Sequence, residues 1–280
     1  MHIEINGARL FFDVVGPQLQ LTDAAMVERP ALIVMHGGPG FDHASMRPWF
    51  DRFADTHQVI YLDHRGNGRS TGERETWRLD QWGEDVHGFC QALGIEKPVV
   101  LGQSFGGMVA MSYAARNPDG PSRLILSSTA GRLDLPATYR MMQQLGGQEA
   151  REIAETFWAA PAEAVMADYM RVCMPLYNPG PAKDGSSRDR SIFRSEVTFH
   201  FVEGEQREMD LLPGLAAVRC PTLVLAGALD PITPVSCAEA ICAALPDGVA
   251  ELVVFEDAGH GIYRDHPGRA ELVLRQFLEA

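Results

Sequence analysis

Short apolar runs recur along most of the chain, and polar or amphipathic stretches separate them. Between two of these runs, residues 79–93 carry apolar side chains at spacings of three and four, which predicts an amphipathic helix. Two β-rich runs around Asn6 and Gly7 predict an antiparallel hairpin. The apolar runs themselves are typical of strands covered on both faces of a mostly parallel sheet; they occupy residues 31–35, 59–62, 98–101, 123–128, 221–226 and 251–255.

The alternation stops between residues 132 and 212. This segment is rich in methionine, alanine, glutamate and aromatic residues and shows no strand–helix repeat. It separates two predicted strands, so it predicts a helical cap inserted into an α/β protein whose helices cover both faces of the sheet. We therefore divide the chain into a core of residues 1–131 and 213–280 and a cap of residues 132–212.

A serine flanked by glycines follows the predicted strand at residues 98–101. Residues 102–107 read Gly-Gln-Ser-Phe-Gly-Gly, and residues 108–116 are predicted to be helical. A strand, a tight G-x-S-x-G turn and a helix make up a nucleophile elbow, which exposes the serine hydroxyl at the end of a sheet. The N-terminus of the helix also favours negative charge beside the serine. Ser104 is therefore the candidate nucleophile.

A glycine-rich loop ends the predicted strand at residues 31–35. It reads His-Gly-Gly-Pro-Gly at residues 36–40 and lies where α/β sheets place their active sites. We interpret it as half of an oxyanion hole, in which the N–H groups of Gly38 and Phe105 would bind developing negative charge.

An aspartate and a histidine follow the last two predicted strands. Asp230 lies in the loop after residues 221–226, and His260 lies in the loop after residues 251–255. Because the carboxyl ends of parallel strands meet at one edge, both residues are expected near Ser104. His260 would take the Ser104 proton as general base, and Asp230 would fix the imidazole tautomer. The sequence thus predicts a triad in the chain order Ser, Asp, His.

Other polar side chains near this edge are interpreted as structural. Asp257 precedes His260 on the same loop, whereas Asp230 ends a strand of its own. The loop at residues 63–70 is rich in charge and glycine, and we interpret it as a buried polar brace that includes Asp63 and Arg65. Structural or surface roles are also assigned to His36, His43, His64 and His266.

Composition narrows the class of protein. The chain has 280 residues and a formal net charge of −13 without a basic cluster, which argues against a nucleic-acid partner. No apolar run approaches the length of a membrane span and no signal-peptide pattern is present, so we expect a cytoplasmic protein without a membrane partner. The 5 cysteines lack metal-ligand spacing. We expect no metal and no cofactor, and a small molecule or short peptide as substrate.

Five segments together carry a family resemblance: residues 36–40, 63–70, 102–107, 227–234 and 259–260. They resemble the α/β-hydrolase superfamily, and within it the proline iminopeptidases of peptidase family S33. This resemblance implies a triad of Ser104, Asp230 and His260, with Gly38 and Phe105 as oxyanion donors. It also implies an aminopeptidase that releases N-terminal proline or a similar small residue through an acyl-enzyme.

The sequence departs from the iminopeptidase pattern at the elbow, where Gln103 and Phe105 replace a glycine and a tryptophan. Iminopeptidases hold the amino group of the substrate with cap glutamates, and here Glu203 and Glu205 are the candidates for this role. The elbow also resembles that of esterases, lactonases and carbon–carbon bond hydrolases, so hydrolysis of small hydrophobic acyl substrates is the alternative. A non-catalytic binding protein of the same fold is disfavoured, because it has no need of Asp230.

Overall fold

The computed structural model describes residues 1–180 and 189–279. Eight of its strands form one sheet in the order β1-β2-β6-β5-β7-β8-β9-β10. The pairs β1–β2 and β2–β6 are antiparallel, and the remaining pairs of this sheet are parallel. The predicted antiparallel edge and mostly parallel sheet are therefore confirmed. The strands are β1 (His2–Ile5), β2 (Ala8–Val15), β3 (Leu19–Leu21), β4 (Met26–Glu28), β5 (Ala31–Met35), β6 (Gln58–Leu62), β7 (Val99–Gln103), β8 (Arg123–Ser127), β9 (Thr222–Gly227) and β10 (Ala250–Phe255).

Helices connect most of the parallel strands. The helices are α1 (Leu79–Leu93), α2 (Phe105–Arg116), α3 (Leu135–Ala159), α4 (Glu163–Asp168), α5 (Ser195–Glu203), α6 (Val235–Ala244), α7 (Ile262–Asp265) and α8 (Pro267–Glu279). Between β5 and β6 lies a 3₁₀ helix at Trp49–Asp55. In the described part of the chain, every helix is too short or too polar to cross a membrane.

Apolar clusters cover both faces of the sheet. On one face, Trp82 and Phe89 of α1 pack together with Val109 of α2. On the other face, Phe53 of the 3₁₀ helix packs in one cluster with Leu274 of α8. Both faces of the central strands are thereby removed from water, which explains their unbroken apolar sequences.

The chain leaves the sheet between β8 and β9. We call residues 132–212 the insertion; its described part contains α3, α4 and α5 and no strand. Phe157 and Tyr169 of the insertion share an apolar cluster with Ile232, which lies in the loop after β9. The insertion therefore packs against the carboxyl edge of the sheet, where the candidate catalytic loops end.

Between β2 and β5 the sequence pattern assigns no strand. This stretch contains a small hairpin in which β3 and β4 pair antiparallel, with Leu21 opposite Met26. These two side chains are 79% and 57% exposed. Each strand has only three residues, which is too short for the alternation of apolar and polar residues that identifies a strand in a sequence.

Candidate active site

Ser104 occupies a strained turn between β7 and α2. Its φ is 54° and its ψ is −119°, a conformation that costs a non-glycine residue about 1–3 kcal/mol. The turn is held by two hydrogen bonds, from Ser104 N–H to Ser127 O (2.9 Å) and from Thr129 Oγ1 to Ser104 O (2.6 Å). Helix α2 begins directly after the serine, at Phe105, and not at residue 108 as predicted.

Close backbone approaches require the glycines of this turn. A Cβ atom at Gly102 would lie 2.2 Å from Gly106 O, and one at Gly106 would lie 2.5 Å from Met35 O. Real Cβ atoms essentially never come closer than 3.0 Å to such neighbours. The G-x-S-x-G sequence therefore follows from the packing of β5, β7 and α2 against one another.

Asp230 and His260 form a hydrogen-bonded pair at the same edge of the sheet. His260 Nδ1 lies 2.8 Å from Asp230 Oδ2, and Asp230 is 0% exposed. The carboxylate also accepts from Ile232 N–H (2.8 Å), Thr233 N–H (3.1 Å) and Thr233 Oγ1 (2.8 Å). Because an ionised carboxylate only accepts hydrogen bonds, Nδ1 carries the imidazole proton and Nε2 has a free lone pair.

The elbow contacts the loop of His260 directly. Gln103 Nε2 donates to His260 O at 3.3 Å. Ser104 and His260 are each 8% exposed, so the site is largely shielded from water. Within the described residues Ser104 Oγ makes no hydrogen bond; catalytic hydrogen bonds of this kind often form fully only with substrate in place.

The glycine-rich loop after β5 lies against Ser104. A Cβ atom at Gly37 would lie 3.2 Å from Ser104 Cβ. Gly38 is exposed and has a φ of 134°, which favours glycine. The N–H groups of Gly38 and Phe105 donate to no acceptor in residues 1–180 and 189–279. Both N–H groups are therefore available to a substrate, as the predicted oxyanion hole requires.

Two neighbouring tyrosines of the insertion lie near His260, and one of them, Tyr177, contacts it. The rings of Tyr177 and His260 meet edge to face with centroids 5.3 Å apart. In addition, the backbone N–H of His260 donates to the backbone carbonyl of Tyr177 at 2.6 Å. The hydroxyls of Tyr169 and Tyr177 lie 2.9 Å apart, and burial raises the pKa of Tyr169. Sequence reasoning missed both residues, because no motif surrounds them; the only signal was the aromatic content of the insertion.

The two candidate amine-binding glutamates lie elsewhere on the insertion. Glu205 Oε2 accepts from Leu79 N–H at 2.8 Å, at the start of α1, and partial burial raises the pKa of Glu205. Glu203 is exposed. Among the described residues, Asp230 supplies the only carboxylate that bonds to a member of the candidate triad. The structure therefore does not bring Glu203 or Glu205 to Ser104.

Two buried histidines, His36 and His64, lie beside the glycine-rich loop. His36 Nε2 accepts from His64 N–H at 3.2 Å, so its Nδ1 is the donor to Gly37 O, 2.7 Å away. Burial lowers the pKa of His36, and it lowers the pKa of His64 well below the usual value. Both imidazoles are therefore neutral at neutral pH.

The predicted polar brace after β6 is confirmed. Arg65 is 1% exposed, and its Nε and Nη2 each donate to Asp85 at 2.7 Å. Asp63, placed in the same brace, accepts from the backbone N–H groups of His43 and Arg69 at 3.0 Å. These bonds join the loops after β5 and β6 beneath the insertion.

A second histidine–aspartate pair was not predicted. His43 Nδ1 lies 2.7 Å from Asp63 Oδ1. In the described chain no serine or cysteine side chain bonds to this imidazole or carboxylate. The pair borders a surface cavity of about 390 Å³, in which Arg47 and Arg69 are already paired with aspartates. The cavity is lined by His43, Ala44, Arg47, Pro48, Asp51, Arg69 and Arg190.

Neither a metal nor a cysteine nucleophile finds support in the side-chain arrangement. The described residues contain no group of three or more His, Cys, Asp or Glu side chains that could hold a metal ion. The cysteines are free thiols. Burial raises the pKa of Cys173 and of Cys237 to about 11, so both are protonated at neutral pH. Ser104 is left as the nucleophile that the geometry favours.

Comparison with known proteins gives the family. The model of the alpha/beta hydrolase fold family matches residues 30–267. The proline iminopeptidase PfmaB of Pestalotiopsis fici is 27% identical over 285 residues, which cover 98% of this chain and 96% of the relative. Similarity to a proline iminopeptidase thus extends over almost the whole chain.

Solved structures give the same result for the fold. A proline iminopeptidase from Mycobacterium smegmatis has a TM-score of 0.77 and 25% identity, over 100% of this chain and 97% of that one. A thermophilic esterase from Thermogutta terrifontis has a TM-score of 0.71 and 26% identity, over 100% of this chain and 98% of that one. The chain belongs to the α/β-hydrolase fold family, and within that family it is similar to the proline iminopeptidases.

Proposed function

We propose that this chain is a serine hydrolase that transfers an acyl group first to Ser104 and then to water. The observation that carries the proposal is the Asp230–His260 hydrogen bond of 2.8 Å beside a serine on a strained turn. Because Nδ1 of His260 is bonded to Asp230, Nε2 is the atom that can accept the Ser104 proton.

The proposed reaction follows from this arrangement. Ser104 Oγ attacks the carbonyl carbon while His260 Nε2 takes its proton. The negative charge on the carbonyl oxygen is bound by the N–H groups of Gly38 and Phe105, each contributing about 10²–10³ in rate. The imidazolium then gives its proton to the leaving group, which departs. In the second half of the reaction, His260 takes a proton from a water molecule that attacks the acyl-enzyme, and the acid and Ser104 are released. Asp230 stabilises the imidazolium in both halves.

We infer that the acyl group is small and uncharged, and that the substrate is an ester or a lactone. A free amino group in a shielded site would need a carboxylate partner. The acidic residues described in the insertion are all exposed except Asp134 and Glu155, which are half-buried. Asp134 accepts from Ala137 N–H and Glu155 accepts from Arg151 Nε, so both are engaged elsewhere. The aromatic ring of Tyr177, which contacts His260, fits an apolar acyl group better than one with a charged amine.

A second candidate is an aminopeptidase that releases N-terminal proline. The observation that favours it is the similarity to proline iminopeptidases over 98% of the chain. This activity uses the same triad and the same acyl-enzyme. It differs only in requiring a group that recognises the substrate amine.

Initial rates on two substrates test both candidates. Wild-type protein and Ser104→Ala are assayed with p-nitrophenyl butyrate and with L-proline p-nitroanilide. We expect turnover of the ester by the wild type alone, with little cleavage of the anilide. Cleavage of the anilide in preference to the ester would establish the aminopeptidase instead. Equal rates for wild type and Ser104→Ala on both substrates would contradict the serine-hydrolase proposal itself.

A further inference from the structure

Helix α5 of the insertion bonds directly to the glycine-rich loop. Thr198 Oγ1 donates to Pro39 O at 2.6 Å, between residues 159 positions apart. Arg194 N–H, at the residue before α5, donates to Gly40 O at 2.8 Å. Thr198 is 8% exposed, so its hydroxyl bond is shielded from competition with water.

The core holds the loop on either side of the Gly38–Pro39 bond, where the backbone itself offers little rigidity. Pro39 has no N–H to donate, and the flanking Gly38 and Gly40 have positive φ values of 134° and 101°. On the core side, Asn67 Oδ1 accepts from Gly40 N–H at 2.6 Å, and His36 Nδ1 donates to Gly37 O at 2.7 Å. The Pro39–Gly40 peptide is therefore held from both sides, by Thr198 of the insertion at its carbonyl and by Asn67 of the core at its N–H.

The contact is close enough to constrain both partners. A Cβ atom at Gly40 would lie 2.5 Å from Thr198 Oγ1 and 2.7 Å from Arg194 O. The same helix also touches the second oxyanion residue, because the rings of Phe201 and Phe105 pack with centroids 5.3 Å apart. Helix α5 thus contacts the neighbourhood of both N–H donors.

From these contacts we propose that Thr198 is a positioning residue of the oxyanion hole: His36 holds the Gly37–Gly38 peptide through Gly37 O, and Thr198 fixes the loop on the other side of Gly38 through Pro39 O. The inference rests on the proposed serine-hydrolase function. It means that the insertion completes the catalytic geometry in addition to covering the site. Loss of the Thr198 hydroxyl should weaken binding of the transition state and leave ground-state binding of substrate unchanged.

The test uses three variants of the full chain and a fluorophosphonate probe. Thr198→Val keeps the shape of the side chain but removes the donor, and Thr198→Ser restores the donor. Thr222→Val is the matched control: it removes a buried threonine bond to Cys220 O (3.1 Å) at the opposite end of the sheet. In the probe reaction a bond forms between Ser104 Oγ and phosphorus, and fluoride leaves. The adduct is located by mass spectrometry.

For Thr198→Val we expect kcat on p-nitrophenyl butyrate and the rate of phosphonylation to fall about tenfold, with KM unchanged. Thr198→Ser should recover most of the loss, and Thr222→Val should stay within about twofold of the wild type. Urea titrations normalise each rate to folded protein. Wild-type rates for Thr198→Val, or a loss shared equally by Thr222→Val, would overturn the inference alone. Absence of an adduct on wild-type Ser104 would overturn the proposed function.

Discussion

Two buried histidine–aspartate pairs lie at the carboxyl edge of the sheet and share most of their local features. The Nδ1 to carboxylate distance is 2.8 Å for His260 and Asp230 and 2.7 Å for His43 and Asp63. Both carboxylates are 0% exposed. The first pair lies in the loops after β9 and β10, and the second lies in the loops after β5 and β6.

The pairs differ in what surrounds the imidazole. His260 is joined to the elbow through Gln103, whereas His43 borders an open cavity in which Arg47 and Arg69 are paired with aspartates. Asp63 uses both carboxylate oxygens to fix the backbone N–H groups of His43 and Arg69. A buried His–Asp hydrogen bond is therefore not by itself a sign of catalysis; what distinguishes the first pair is the candidate nucleophile on a strained turn beside it.

Removal of the nucleophile should give the largest effect. Ser104→Ala leaves only the oxyanion donors and binding, so the ester rate should fall by about 10³-fold or more. The matched control is Ser45→Ala, at an exposed serine two positions from His43, and its rate should stay at the wild-type value. A slow Ser45→Ala variant with an active Ser104→Ala variant would place the chemistry at the His43 pair.

The second largest effect is expected from replacing the aspartate of each pair by asparagine, which should affect activity in one pair and stability in the other. Asp230→Asn removes the acceptor that fixes the His260 tautomer, so kcat should fall by about 10³–10⁴-fold. Asp63→Asn should instead lower the free energy of unfolding by about 1–3 kcal/mol, because a buried backbone donor loses its acceptor. Activity assays and urea titrations of both variants measure the two effects. Similar kcat losses in both variants would contradict the division of roles.

Acid stability should depend on the histidines that lack a carboxylate hydrogen bond. Burial lowers the pKa of His36 and His64, so below about pH 6.5 the unfolded chain binds protons that the folded protein does not. Stability therefore falls with falling pH, and His64 alone contributes a loss of up to about 2 kcal/mol at about pH 5. The lowered pKa of Asp63 acts only in more acidic solution, below the usual carboxyl range.

Urea titrations at about pH 7.5 and about pH 5 measure this loss. His64→Asn should lose less stability between the two values than the wild type, whereas His2→Asn, at an exposed histidine, should lose the same amount. An unchanged loss in His64→Asn would show that this histidine is not the one held neutral.

The smallest effect concerns the glutamates of the insertion. Glu205→Ala should cost about 1 kcal/mol in the free energy of unfolding, because Leu79 N–H at the start of α1 loses its acceptor. Glu205→Gln should recover part of this loss, and Glu203→Ala, at an exposed position, should change nothing. KM for L-proline p-nitroanilide is measured in parallel. A rise in KM shared by Glu205→Ala and Glu205→Gln, or a rise in Glu203→Ala, would favour the amine-binding role, because glutamine lacks the charge that a substrate amine requires.

The sheet and the turn at Ser104 could be predicted because their signals are local. Apolar runs define the strands, and the close approaches at Gly102 and Gly106 impose the G-x-S-x-G pattern on neighbouring positions. The hairpin of β3 and β4 escaped prediction because its strands have three residues each and bury little.

Contacts between distant segments could not be predicted in the same way. His43 and Asp63 lie 20 residues apart on two loops, and Thr198 lies 159 residues from Pro39. The sequence placed Glu205 on the insertion but could not show that its carboxylate meets the start of α1. Such contacts depend on how loops and the insertion pack in three dimensions, and the spacing of apolar residues along the chain does not indicate that packing.

The bond between Thr198 and the glycine-rich loop has a consequence for protein engineering. A segment inserted between two strands is an attractive part to exchange between related proteins, because the strands of the sheet pair without it. Here a graft that replaced residues 132–212 would also remove the donor to Pro39 O and the donor to Gly40 O. A chimera would therefore need a matching hydroxyl at the new helix, or a redesigned loop after β5, before its new pocket could be put to use.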